Sequence, residues 1–263
     1  MLGFLVAYCA LLGLVAGSAV NALVWRLYVG RSWVHGRSEC PECGHKLAAR
    51  DLVPVVSWLL LGGRCRYCHK PIKDHPAVEL LTAVVFAVSA YVAAPVTAAG
   101  WLRLGWWLAA AALLVAMAVY DARWMILPDK LTLPLMGLAL GGDVVLALIQ
   151  HSPRLLLGPV AAGLVVGVGF FALAAGSRGR AMGGGDIKLA AAMGLLLGIK
   201  GVLVALLVAF NVAAVVGLTL IVLRRRGRHD QIPFGPFLVL GTILAVWFTQ
   251  PLVAWYLRLS GAG

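Results

Sequence analysis

Apolar runs that approach or exceed the ~20 residues needed to cross a bilayer as a helix recur along this chain. Inside lipid every backbone polar group must be satisfied within the segment, so such runs read as helices. Divided at their breakers, they fall near residues 2–24, 77–96, 101–120, 131–150, 155–176, 187–199, 201–223 and 234–257. The expectation is an all-α polytopic membrane protein of about eight transmembrane helices. Composition agrees: at 62% hydrophobic and 12% charged residues, 263 residues carry too little charge to clothe a soluble surface. The sixth run is short, and the glycines before it set its start. Gly163-x-x-x-Gly167 reads as a helix-packing face.

The net charge of +12 would fit a nucleic-acid partner if the bases formed a surface interleaved with aromatics. Instead they sit in short loops beside apolar runs, which is the pattern of membrane orientation and argues against nucleic acid. The first run has no Lys or Arg before it and several after it, the reverse of a secretory signal peptide. It is expected to stay as a helix with its N-terminus outside. That orientation puts 18 of the 22 Lys and Arg in cytoplasmic loops and leaves Arg103, Arg154, Lys200 and Arg258 on the other side. The opposite orientation inverts the imbalance.

Three divisions follow: a first helix at 1–25, a polar cytoplasmic insertion at 26–76, and the remaining membrane part at 77–263. The insertion is small for an independent core and calls for a staple. Cys40-Pro41-Glu42-Cys43 and Cys65-Arg66-Tyr67-Cys68 supply one. Two C-x-x-C knuckles at this separation can close a tetrahedral Zn²⁺ site. Four sulfurs leave no position open for water, so the zinc would be structural. Disulfides and unliganded thiols are the alternatives, and a reducing cytoplasm argues against the former. Gly44 would relieve the turn of the first knuckle. His45 and His69 are read as loop residues, and Cys9 as a small buried side chain.

Of ten acids, three are singled out, Asp121, Asp143 and Asp186, because an ionisable group at membrane depth needs a reason. Asp121 closes the third run and Asp186, after Gly183-Gly184-Gly185, opens the sixth. Both then lie at the cytoplasmic edge. Two carboxylates from separate helices at one depth can converge on a water, one deprotonating it while the other protonates a carbonyl. Simpler roles exist too: Asp186 as a helix cap, Asp121 as a partner of Arg123. Asp143 reads as a polar packing residue, and Lys188 as a base reaching for headgroups.

These residues resemble the motifs of the prepilin leader peptidases, the Gly-x-Gly-Asp aspartic proteases of type IV pilus and type II secretion systems. Gly17-Ser18-Ala19-Val20-Asn21 with Arg26-Leu27 is similar to the family's opening motif. Cys40 to His45, Pro54-Val55-Val56-Ser57-Trp58 and Gly63 to Cys68 resemble its zinc loop. Asp121, Leu127-Pro128-Asp129 and Leu131-Thr132 match its first aspartate segment, and Gly183 to Lys188 its second. Pro233-Phe234-Gly235-Pro236-Phe237 resembles its closing motif. Tyr28 and His75 stand where the family commonly has Pro and Tyr, both flanking the zinc loop.

The resemblance implies that Asp121 and Asp186 are the catalytic pair, with Asp129 outside it. It implies cleavage of the leader of a prepilin or pseudopilin at the cytoplasmic face of the bacterial inner membrane. It also implies methylation of the new N-terminus with S-adenosylmethionine, for which the sequence shows no nucleotide fingerprint. Helix dipoles favour Asp186, at a helix start, as the ionised base and Asp121, at a helix end, as the proton donor. The closing motif is expected to be an irregular, cavity-lining entry to the last span. Two other functions are open: an acid-lined proton or cation transporter with a zinc-stabilised regulatory loop, and a non-enzymatic assembly component whose loop docks partners.

Overall fold

A computed structural model describes residues 1–32, 36–72, 74–179, 182–223 and 232–259. The basic run 224–230, part of the orientation count, lies outside the described residues, as do Lys73 and Arg180. The described residues form eight α-helices: α1 (Leu2–Tyr28), α2 (Val56–Leu60), α3 (Ala77–Ala93), α4 (Ala98–Trp124), α5 (Asp129–Ile149), α6 (Leu157–Gly176), α7 (Gly184–Val222) and α8 (Gly235–Leu259). Among them there is no β-strand, only the bridges Glu39–Lys46 and Arg64–Pro71.

Six helices are long and apolar enough to cross a membrane; α3, at 17 residues, is a shorter apolar helix. At 39 residues, α7 would be roughly 58 Å long if straight, about twice the hydrocarbon core. It is not one rod. Gly198 breaks it with φ 64° and ψ −177°, a conformation that suits glycine alone. The two apolar runs expected at 187–199 and 201–223 are thus the two segments of α7. The multi-pass α-helical architecture expected from the sequence is the one observed, and the chain is a multi-pass membrane protein.

The chain forms two compact units, Met1–Ala116 and Met117–Gly263. In the first, α1 and α3 pack through glycine. A Cβ on Gly13 would lie 2.6 Å from the Cα of Ala83, and one on Gly17 would lie 2.5 Å from the Cα of Glu79. Small residues one turn apart let the two backbones meet. Ser89 on α3 accepts the Trp107 indole N–H at 2.7 Å, tying α4's first half to the same unit.

In the second unit, Gly163 and Gly167 of α6 face α7 as expected of a packing face: Gly163 lies against Ala191 and Leu195, and Gly167 against Ala191. A Cβ on Gly194 would meet the Gly163 backbone at 2.6 Å. At the α7–α8 crossing, one on Gly241 would sit 2.2 Å from the Ala205 carbonyl oxygen. A core of Leu131, Leu135, Leu189, Met193, Val202 and Leu238 is sealed from the surface.

Candidate active site

Three chain segments of the second unit meet at the acids: the end of α4, the start of α7 and the start of α8. α4 runs through Trp124, so Asp121 lies inside its last turn and is only 5% exposed. A carboxyl so placed needs a donor. It has one in the backbone N–H of Gly235, which donates to Oδ2 at 2.9 Å. Arg123, a possible partner from sequence, lies with its guanidinium 5.9 Å from the centre of the Trp124 ring.

Gly235 is the first residue of α8, and Pro236 follows it inside the first turn. The amide missing at Pro236 would have had no intrahelical partner there, so proline costs the helix nothing. The Phe237 and Leu238 amides bond back to the Phe234 carbonyl at 3.0 and 3.2 Å. The closing motif is therefore irregular at Pro233 and Phe234, as expected, and becomes a regular helix start at Gly235. Phe234 packs its ring 5.3 Å from that of Phe210 on α7.

Asp186 occupies the third position of α7, after an extended Gly183 at the N-cap. Its carboxylate accepts the backbone N–H of Gly183 and is close enough to Asp121 for the two charges to act on each other. The reach-back to the N-cap amide is half of a capping box. Asp186 is thus not the N-cap read from the sequence; it bonds back to the N-cap amide from inside the first turn. Gly185 explains the glycine before it: a Cβ there would stand 2.6 Å from Leu127 Cβ and 3.2 Å from Leu127 O. Only a bare backbone lets the α4–α5 linker seat on the first turn of α7.

Asp129, the first residue of α5, stays out of this meeting and instead accepts a 2.5 Å hydrogen bond from Lys188 Nζ. Lys188 was expected to reach for headgroups. Two residues beyond Asp186 it turns away from the acids, and there the start of α5 offers it a carboxylate. The Asp143 Oδ2 and Thr132 Oγ1 atoms on α5 are buried with no hydrogen-bond partner among the described residues.

In the first unit the four Sγ atoms of Cys40, Cys43, Cys65 and Cys68 lie within 4.8 Å of one another and can hold a metal ion. Cys40 and Cys68 sulfurs are 3.9 Å apart, near the roughly 3.8 Å edge of a tetrahedron with 2.3 Å metal–sulfur bonds and far from the ~2.05 Å of a disulfide. The two knuckles repeat one geometry. Gly44 and His69 amides bond to the Cys40 and Cys65 carbonyls, and Cys40 and Cys65 amides to the His45 and Lys70 carbonyls, all at 2.9 Å. Gly44 has φ 71°, as the turn required; His69 takes the equivalent place at φ 58° without being glycine. His45 stacks on Tyr67, ring centres 3.6 Å apart. Without a metal the clustered thiols shift in opposite directions. Against burial, the Cys68 and Tyr67 amides and the neighbouring thiols bring Cys65 to about 7. Burial raises Cys40, and against the Lys70 amide, burial and the neighbouring thiols push Cys68 up to about 11.

Glu79 was not singled out in the sequence. Its carboxylate accepts the Val55 amide at 2.5 Å, fixing the metal loop to the first turn of α3. An acid three residues after Pro76, at a helix start, was the available signal.

Residues 11–93 match the Bacterial Peptidase A24 N-terminal domain and residues 108–218 match the Type IV leader peptidase family. Several relatives bear the name prepilin leader peptidase/N-methyltransferase. One from Aeromonas hydrophila is 38% identical over 84% of this chain and 74% of its own. One from Xanthomonas campestris pv. campestris is 35% identical over 95% and 93%. One from Bacillus subtilis is 28% identical over 94% and 96%. No solved structure matches significantly. With two successive domains matched in order across most of its length, this chain belongs to the type IV leader peptidase family.

Proposed function

We propose that this protein is a membrane-embedded aspartic endopeptidase that removes the leader of prepilins or pseudopilins and then methylates the new N-terminus. Asp121 and Asp186 are its catalytic pair. The observation that carries this reading is the approach of these two carboxylates from separate helices, each already holding one backbone amide. The relatives' names supply the substrate class and both activities. They lend nothing to the transport or assembly readings.

In the proposed reaction a water lies between the carboxylates. Asp186 accepts a proton from it as its oxygen attacks the scissile carbonyl, and Asp121 donates a proton to the carbonyl oxygen. The amine leaves with the proton that Asp186 returns. As the C–N bond breaks, a hydroxyl of the tetrahedral diol gives its proton back to Asp121. The dipole difference expected from sequence does not separate the two acids, because the α8 N-terminus also faces Asp121. Exposure separates them instead. Asp121 is buried and Asp186 half-buried, so Asp186 is the acid that meets water. With Gly235 on Oδ2, Asp121 keeps Oδ1 for the proton it gives.

Zinc is the metal proposed for Cys40, Cys43, Cys65 and Cys68, held as four thiolates in a purely structural role. S-adenosylmethionine is the methyl donor proposed, and the methyl transfer in the relatives' names supports it. Four sulfurs turned to one point leave it no place at the metal. The functional division is the helix 1–25, the zinc loop 26–76 and the peptidase core 77–263, with α3 also serving as the loop's seat. The loop and the aspartates face the cytoplasm from the bacterial inner membrane, with the N-terminus outside. Co-expression with a candidate precursor tests the function by intact mass. Loss of the leader and gain of one methyl group are expected, and a precursor left whole overturns the reading.

A further inference from the structure

The metal loop carries an apolar stripe that nothing among the described residues of its own unit covers. Val56, Leu59 and Leu60 are exposed along one side of α2, Leu59 by 62% and Leu60 by 80%, and Leu52 and Val53 are exposed just before it. Val56, Leu59 and Leu60, at i, i+3 and i+4, share one side of α2, while Leu52 and Val53 belong to the non-helical turn before it. The opposite side is used. Trp58 packs its ring 5.3 Å from that of His75 and lies against Gly63, where a Cβ would stand 2.9 Å from it.

A stripe of this kind on a freely solvated loop would be a liability. This loop is not free. It joins α1 to α3, and Glu79 in the first turn of α3 holds the Val55 amide one residue before α2 begins. α2 is therefore pinned at the end of an apolar helix whose Leu80, Leu81 and Val84 are themselves exposed. Charge points the same way. Arg50 and Arg64 bracket the stripe in sequence and are exposed. The acid between them, Asp51, is turned inward with its side chain 3% exposed and bonded to Arg66.

We propose that α2 and the turn before it form an interfacial anchor, with Leu52, Val53, Val56, Leu59 and Leu60 embedded in the headgroup–acyl boundary of the protein's own membrane. Arg50 and Arg64 meet anionic lipid headgroups beside it. This is the geometry of a short helix lying in the interface plane: an apolar face in the lipid and bases at its margin. The loop is then held at three places, by its two flanking helices and by lipid.

The test uses the full chain in nanodiscs of phosphatidylethanolamine and phosphatidylglycerol, with a photoreactive amino acid replacing Leu60, an exposed position whose change leaves the fold alone. A second protein carries it at Lys46, exposed on the metal knuckle. Mass spectrometry then identifies the adducts. Lipid adducts at position 60, absent or at least tenfold fewer at position 46, are the expected result. Adducts at position 60 to protein, whether a second copy or another segment, overturn the proposal, as does equal lipid labelling at both positions or none at either. Replacing phosphatidylglycerol by phosphatidylcholine should lower the yield at position 60; an unchanged yield removes the role given to Arg50 and Arg64.

Discussion

The backbone amide of Gly235 donates to Asp121 Oδ2 at 2.9 Å, so the first residue of α8 sets the orientation of a carboxylate at the end of α4. A Cβ at Gly235 would stand 2.6 Å from that oxygen, and either the carboxylate or the start of α8 would have to shift. Displacements of about 1 Å at a reacting group cost on the order of 10²-fold in rate. Gly235→Ala is expected to lower kcat by about that factor with a smaller change in KM, measured on a purified precursor in nanodiscs. Parent-like kcat would show that Asp121 does not depend on this contact.

On the proposed mechanism the acids share one reaction, so Asp121→Asn and Asp186→Asn should each reduce leader removal by ~10³-fold or more, and the double variant should be little worse than either. Methylation needs no water activated between them. A substrate already lacking its leader should therefore still gain its methyl group in both variants. Cleavage persisting in either one ends the two-acid mechanism.

Asp129 shares a motif with Asp121 but is bound to Lys188 instead. Both partners are substantially exposed, and an exposed ion pair contributes about 0–1 kcal/mol. Asp129→Asn and Lys188→Ala should each keep most cleavage and lose less than about 1 kcal/mol of stability. The exchanged pair, Asp129→Lys with Lys188→Asp, should recover that loss in thermal unfolding. A collapse of cleavage in Asp129→Asn, uncorrected by the exchange, would make Asp129 part of the chemistry.

What could be read from the sequence was whatever depends on length and spacing. Runs of apolar residues located the helices, and the run that had to be split was the one Gly198 breaks. The cysteines gathered as their two x-x spacings required. Contacts between distant segments were out of reach. Nothing local to Gly235 announces that its amide faces Asp121, and nothing local to Lys188 announces Asp129. The dipole argument failed for the same reason: it considered the helix bearing Asp121 and missed the one opposite. Val55, at φ 62° with its amide on Glu79, is a tertiary arrangement that no propensity describes.

A metal closed by four thiolates should be lost when one ligand goes. Cys43→Ser is expected to drop bound zinc from one per chain to well below that by elemental analysis, and to expose the loop to trypsin. Removal of zinc by a strong chelator should do the same to the parent, with recovery on adding zinc back. The helices of the second unit should be unaffected by circular dichroism. A loop equally protected with and without metal would assign its order to packing alone.

Asp51 gives the loop a pH dependence of its own. Its Oδ1 accepts Arg66 Nε at 2.7 Å, and its Oδ2 accepts the Tyr67 hydroxyl at 2.9 Å and the Ala48 amide at 3.2 Å. The Arg66 hydrogen bond above all holds this carboxyl below its ordinary value of 3.8, against the opposing effect of burial. A carboxyl depressed in the folded state binds fewer protons there than in the unfolded chain, so stability rises with pH across that window. The contribution is complete above about pH 4–5 and is lost as the pH falls through the ordinary value toward the depressed one. Asp51→Asn should be the less stable protein at neutral pH, and its deficit should shrink below about pH 4. Protection of the Ala48 amide against hydrogen exchange, followed in both proteins over a pH series with zinc saturating, reads this directly. Zinc loss in acid affects both proteins alike, so only the difference between them reports on Asp51. A difference that stays constant with pH would mean that Asp51 acts through shape and not through charge.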